Sequence, residues 1–153
     1  MSFQKAHKIS NELGAVYLVS PEVDINGGVA AASFPNQPFI NGRNFRILDA
    51  GFTATTNTAA GGAVVIDDAN VGATNYVVAG AVPVLAGYAA GTEGGTVSTS
   101  KGSTGWVFDS AGNDSSGVPV VLSGQELRYT VGIGGTGTGY VWVKLAPQIQ
   151  YKD

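Results

Sequence analysis

Cysteine is absent from the 153 residues, which excludes a disulfide framework and any thiolate metal site and leaves stability to burial or assembly. Histidine occurs once, at His7. A Ser-His-Asp relay would have to be built on that single imidazole, and no G-x-S-x-G turn accompanies it. Charged residues make up 12% of the chain, about half the usual share. The net charge is -3, no Lys or Arg lies between Ile47 and Ser100, and the one basic cluster (Lys5, His7, Lys8) is short. Nucleic-acid binding draws on clustered cations that meet phosphates, so no nucleic-acid partner is expected.

Long apolar runs are missing as well. Residues Ala69 to Thr92 carry no charge, but Asn70, Asn75, Pro83 and the glycines at 72, 80 and 87 make that stretch a poor spanning helix and a better set of buried strands. Lys5 and Lys8 are followed only by the short run Leu13 to Val19, without a cleavage pattern, so neither a signal peptide nor a membrane partner is expected. Amphipathic helices are lacking too. The best window, Glu12 to Leu18, contains Gly14 and stops at Ser20-Pro21.

What the chain does have is glycine, 23 residues of it, together with many Ala, Val, Thr and Ser. Strand periodicity runs through this composition. Glu126 to Ile133 alternates polar and apolar, and Tyr140 to Leu145 alternates again with Val141, Val143 and Leu145 in phase. Phe45 to Ala54 reads as a long strand, followed by the polar bend Thr55 to Gly62 and a second strand Ala63 to Asp67. Further strands are expected at Asn75 to Ala79, Val82 to Leu85, Gly95 to Thr99, Trp106 to Asp109 and Val118 to Leu122, each bounded by turn-forming residues. Short strands at such regular spacing predict an all-β, jelly-roll-like antiparallel β-sandwich, assigned to residues 43–153.

Gly132, Gly134 and Gly137 satisfy G-x-G-x-x-G, the dinucleotide fingerprint. That motif needs a strand before it and a helix after it, so that helical amides face the pyrophosphate. Here a second strand follows, and Asp153 comes too soon after Gly137 for the rest of a βαβ unit. The expectation is a hairpin with the loop Gly135 to Gly139, Ile133 opposite Val141, Tyr140 opposite Gly134 and Trp142 opposite Gly132, the rings covering strand glycines. No cofactor is expected.

Residues 1–42 differ from the rest, with prolines at 21, 35 and 38. They read as an extended N-terminal arm or long loop lying along another surface, or else as a segment in which Phe34, Phe39 and Ile40 fold back and cover the edge of the chain's own sandwich. Within it, "EVDING" places Glu22, Asp24, Asn26 and Gly27 at the first, third, fifth and sixth places of a calcium loop. The twelfth place is Ser33, and no helices flank it, so a turn is expected and no metal. "DDAN" at 67 and "DSAGND" at 109 are read as turns too. Eleven acids single out no carboxylate pair for glycoside hydrolysis, and no catalytic residue is assigned.

Aromatic and proline side chains are the remaining candidates. Phe34, Pro35, Pro38, Phe39, Tyr140 and Trp142 are taken as protein-interface residues. For Trp142, three roles stand side by side: packing between sheets, a protein interface, or stacking on a sugar.

The run "FRILDAGFTATTNTAAGGAVVIDDAN" (45–70) and the stretch "VPVVLSGQELRYTVGIGGTGTGYVWVKLAPQIQYKD" (118–153), behind a polar proline-bearing segment, resemble the small cysteine-free decoration (cement) proteins on the heads of tailed bacteriophages. The Ser-Gly-Gln-Glu-Leu turn feeding a strand, the glycine-threonine hairpin and the aromatic last strand resemble the closing strands of jelly-roll modules in such virion proteins. The resemblance implies a structural, non-enzymatic protein on the outer surface of the virion capsid. It implies a homo-oligomer, a trimer sooner than a dimer, bound across seams of the major capsid protein. The rivals are a tail-fibre or receptor-binding tip that recognises a bacterial surface glycan, and a carbohydrate-active enzyme.

Overall fold

A computed structural model describes residues 15–37, 43–60, 62–68, 75–79, 85–95, 106–108 and 119–148. The described residues form eleven strands and no helix: β1 (Val16–Val19), β2 (Val23–Asp24), β3 (Val29–Ser33), β4 (Phe45–Ala54), β5 (Val64–Asp68), β6 (Asn75–Ala79), β7 (Glu93–Gly95), β8 (Val107–Phe108), β9 (Val120–Val121), β10 (Leu127–Val131) and β11 (Thr138–Pro147). They pair antiparallel throughout. The first sheet runs β1-β11-β4-β7, with β2 on β11 and β9 on β4, and the second runs β3-β10-β5-β6-β8. Leu18, Ile47, Phe52, Val141 and Val143 of the first sheet and Val64, Ile66, Tyr129 and Val131 of the second belong to one buried cluster. The protein is thus an all-β sandwich, as the strand spacing predicts.

The long strand β4 is where its alternation becomes informative. Phe45 and Ile47 are buried at its start, and Ala50, Phe52 and Ala54 further on, so the inward phase changes from odd to even. The cause is a bulge: Lys144 pairs with Asp49 while Leu145 pairs with Ile47, leaving Leu48 as the extra residue. One inserted residue turns every later side chain to the other face, which keeps Phe52 opposite Val141 and Ala50 opposite Val143 in the core.

The terminal glycines do not make a hairpin. β10 and β11 lie in different sheets; Val131 pairs with Val64, and Gly139 pairs with Ala54. Between those pairs Ala59 bridges Thr136, and Gly132 donates its N–H to the Ala63 carbonyl at 2.8 Å. β4 with β5, and β10 with β11, therefore form one long antiparallel ribbon that is folded from the first sheet over to the second. Glycine permits the fold. A side chain on Gly62 would run into the Gly132 backbone, one on Gly137 into Asn57 and Thr58, and Gly134 and Gly137 have φ of 108° and 111°, angles that favour a residue without Cβ. Ile133, expected opposite Val141, is 75% exposed on the corner.

Residues 15–37 are built into both sheets. β1 pairs with β11, β2 with the start of β11 and β3 with β10, and Leu18, Val23, Ile25 and Phe34 are buried. The ladder continues past β3 through a side chain: Gln37 Nε2 donates to the Leu127 carbonyl and Gln37 Oε1 accepts from the Leu127 N–H, both at 2.8 Å. Of the other expected strands, Asn75 to Ala79 recurs as β6 with the same bounds, β8 and β9 lie within Trp106 to Asp109 and Val118 to Leu122, and of Gly95 to Thr99 only Gly95, the last residue of β7, is among the described residues. Val82 to Leu85 falls almost wholly outside the described residues.

Candidate functional site

The outward face of the first sheet carries a groove of about 320 Å³. Its floor follows from register. Val19 pairs with Trp142, Trp142 with Gly51 and Gly51 with Gly95, so two glycines in a row leave a depression beside a large indole. On one flank Tyr17, Lys144 and Asp49 stand in line. On the other stand Tyr140, Thr53 and Glu93. The expected cover of strand glycine by Trp142 is present, but over a different glycine: a Cβ on Gly51 would lie 2.7 Å from Trp142 Cζ2.

Trp142 is only 7% exposed. Its Nε1 is buried and has no hydrogen-bond partner among the described residues. Tyr17 meets this indole edge to face at 6.1 Å and is itself 59% exposed, and Lys144 Nζ sits 5.9 Å from the centre of the Tyr17 ring. The Asp49 carboxylate accepts the Ala50 N–H at 2.8 Å. Asp49 and Glu93 stand at opposite ends of the groove. Asp49 lies four positions before Thr53, the partner of Glu93, along strand β4, roughly 13 Å of extended backbone at ~3.3 Å per residue. Glycoside hydrolysis needs carboxylates about 5–9.5 Å apart.

The other interface candidates are placed differently. Phe34 is 2% exposed and packs on Tyr129 at 4.8 Å between ring centres, so its apolar surface is spent on the chain's own core. Pro35 is exposed in the turn after β3, Tyr140 is half-buried on the groove face, and Pro38 and Phe39 lie outside the described residues. Trp106 is buried and donates its N–H to the Tyr88 hydroxyl at 3.2 Å. "EVDING" is a turn: Asp24 Oδ1 accepts the Asn26 N–H at 3.0 Å and the Asp24 carbonyl accepts from Gly28 at 3.1 Å, while Ile25 is wholly buried. No group of three or more His, Cys, Asp or Glu able to hold a metal occurs among the described residues.

A second polar cluster lies on the other sheet. Arg128 pairs directly across from Asp67, and its Nε and Nη2 donate to the two carboxylate oxygens at 2.9 and 3.0 Å, a bidentate fork. Next to it the Tyr76 hydroxyl is 2.8 Å from Gln125 Oε1 and 3.3 Å from Asp68 Oδ2, and Gln125 Nε2 donates to the same Asp68 oxygen at 3.3 Å. Burial, and after it the neighbouring Asp68 carboxylate, push the Tyr76 phenol well above the ordinary tyrosine range. Gln125 also accepts the Leu122 N–H at 2.7 Å. The Ser-Gly-Gln turn thereby ties the entry of β10 to β5 and β6.

Sequence did not bring Asp49, Thr53 and Glu93 together on one face. The available signal was Gly51 alternating with Asp49 and Thr53, a gap among polar neighbours on an outward face. It was hidden because the unbroken alternation put Phe45 and Ile47 on that same face. Compared with known proteins, the chain matches no family model, no curated protein and no solved structure.

Proposed function

We propose that the protein is a structural virion component that binds the outside of a tailed-phage head and stabilises contacts between major capsid subunits, as a homo-oligomer with a jelly-roll-like body. One observation carries this reading. β1 is an edge strand of the first sheet, joined among the described residues only to β11, and it presents Val16 (37% exposed), Tyr17 (59%) and Val19 (43%) with no charge among its four residues. Edge strands in soluble proteins are ordinarily blunted by charge, proline or bulges, because their open N–H and C=O groups recruit other chains. An apolar, uncharged edge suits a protein whose work is adhesion, and repeated attachment to a lattice turns modest contacts into high avidity.

Binding of purified protein to empty heads of the encoding phage, and the heat resistance of those heads, test the proposal. Removal of residues 1–42 is uninformative, since it deletes three strands along with the proposed contact. Val16→Lys charges the margin of the edge while leaving Leu18 in the core. It is expected to weaken head binding by about tenfold or more, the equivalent of one or two lost apolar contacts, with an unchanged β spectrum. Wild-type protein that neither binds heads nor protects them overturns the proposal.

A further inference from the structure

We propose that Asn26 is a modification site, at which the chain converts its own asparagine to aspartate and isoaspartate through a succinimide. The reacting groups are an asparagine carboxamide and the backbone nitrogen that follows it, and the turn between β2 and β3 leaves both open. Asn26 and Gly27 are exposed. The Asn26 backbone N–H is held by Asp24 Oδ1 at 3.0 Å and the Gly28 N–H by the Asp24 carbonyl at 3.1 Å, whereas neither the Asn26 carboxamide nor the Gly27 N–H has a hydrogen bond among the described residues. An unbonded amide is one that hydroxide can reach and deprotonate. Glycine at 27 carries no Cβ to hinder the approach of its nitrogen, and apart from its chain neighbours a Cβ there would meet only the Asp24 carbonyl oxygen, 4.0 Å away. Two other asparagines are held. Asn57 Oδ1 accepts the Ala90 N–H at 2.9 Å, and the following Thr58 N–H is bonded to the Tyr88 carbonyl at 2.8 Å; Asn44 Oδ1 accepts the Ser123 N–H at 3.0 Å, and its Nδ2 donates to Gln148 Oε1 at 3.4 Å.

The reaction needs only water and hydroxide. Hydroxide removes the Gly27 amide proton, the nitrogen attacks Asn26 Cγ, and a five-membered ring closes as the Cγ–Nδ2 bond breaks and ammonia leaves. Water then opens the ring. Cleavage of the new N–Cγ bond gives aspartate; cleavage of the original peptide bond gives isoaspartate, whose main chain passes through Cβ and Cγ and is one atom longer. Either product adds a negative charge to a chain already at -3, in the turn that Asp24 closes, and the two carboxylates repel. The longer main chain of isoaspartate falls at a sensitive place. Ile25 is wholly buried, and residues 25–28 carry the chain from the first sheet, where β2 pairs with β11, to the second, where β3 pairs with β10. Repulsion and the extra backbone atom both loosen the Asp24–Gly28 hydrogen bond that closes this crossing.

The test is incubation of the folded full chain in mildly alkaline water carrying heavy oxygen, with the products mapped by mass spectrometry and by isoaspartyl methyl transfer. The peptide that holds Asn26 is expected to lose one nitrogen and gain one heavy oxygen there, to yield more isoaspartate than aspartate, and to do so faster as the pH rises. Gly27→Ala is compatible with the turn, since Gly27 is not among the positive-φ residues and has room for a methyl group. It should slow conversion about fivefold or more, the rate equivalent of the conformational freedom glycine has over alanine, and Asn26→Ser should abolish it. Asn41 is followed by glycine too and lies outside the described residues; fragmentation of the peptide tells the two sites apart. Aged wild-type protein should unfold at lower urea than fresh protein, and aged Asn26→Ser should not; a midpoint that conversion leaves unchanged would overturn the effect on the crossing. Asn26 intact in the folded protein while the urea-unfolded chain converts there, conversion at Asn41 without conversion at Asn26, or an unaltered rate in Gly27→Ala would overturn the site itself.

Discussion

At Tyr76 one proton is shared by two acceptors, the Gln125 amide oxygen at 2.8 Å and the Asp68 carboxylate at 3.3 Å, in a position only 1% exposed. Tyr76→Phe removes the proton and leaves a buried carboxylate with one donor fewer, so a loss of about 1–2 kcal/mol in urea unfolding is expected. The sign of the pH effect follows from the same group. The folded state holds the phenol proton more tightly than the unfolded chain, whose tyrosines ionise near pH ~10. Stability is therefore whole below that pH and falls above it, where the unfolded state releases protons that the folded state keeps. Burial pushes Tyr88 and Tyr129 in the same direction. Stability measured between about pH 9 and 11 should decline less steeply in Tyr76→Phe than in the wild type. None of this was visible in sequence, because Tyr76 meets Gln125 across 49 positions and no local pattern announces so distant a partner. Trp142 was legible as a tryptophan beside strand glycine; the identity of the glycine was not, since periodicity assigns a face and says nothing about the neighbouring strand.

The extra residue in β4 makes neighbouring positions unequal. Ile47 is wholly buried and paired with Leu145, whereas Leu48 is the half-buried residue the bulge leaves out of the ladder. Ile47→Ala should cost about 2–5 kcal/mol, as a cavity in a packed core does, and Leu48→Ala less than ~1 kcal/mol; equal losses in chemical denaturation would show that the bulge is misplaced. Strand existence was readable from alternation for β4, β5, β6, β10 and β11, and β6 appears with the bounds expected of it. Strand partnership was not. A glycine-rich link between two alternating runs looks the same whether the runs turn back on each other or pass from one sheet to the next, and Gly132 to Gly137 does the second. The sequence leaves Val29 to Ser33 in a segment read either as an arm or as a cover folded back on the sandwich, with no strand assigned, because its alanines and modest length carry little periodicity; the ladder to β10 and the Gln37 clamp supply what local propensity lacks.

For the molecule as a whole, the work proposed falls to the margin of the first sheet, where the edge strand β1 would join other chains. With no cysteine anywhere, such an assembly rests on non-covalent contacts alone. Sedimentation equilibrium is expected to give a trimer of the wild type that shifts toward monomer in Val16→Lys; a concentration-independent monomer in the wild type would remove β1 from the subunit contact. Sandwich class was legible from the spacing of turn residues, and the groove was not, because it is assembled from four strands spread between Tyr17 and Lys144.

The folded ribbon has a consequence for how the chain comes into being. β11 is flanked by β1 on one side and β4 on the other, so a nascent polypeptide emerging from the ribosome has every other part of the first sheet in hand before the strand that unites them is translated. Sandwiches dominated by such sequence-distant pairings fold in milliseconds to seconds. In that interval β1 and β4 wait with open flanks, and a chaperone or a sister chain arriving first would find the position meant for residues 138 to 147.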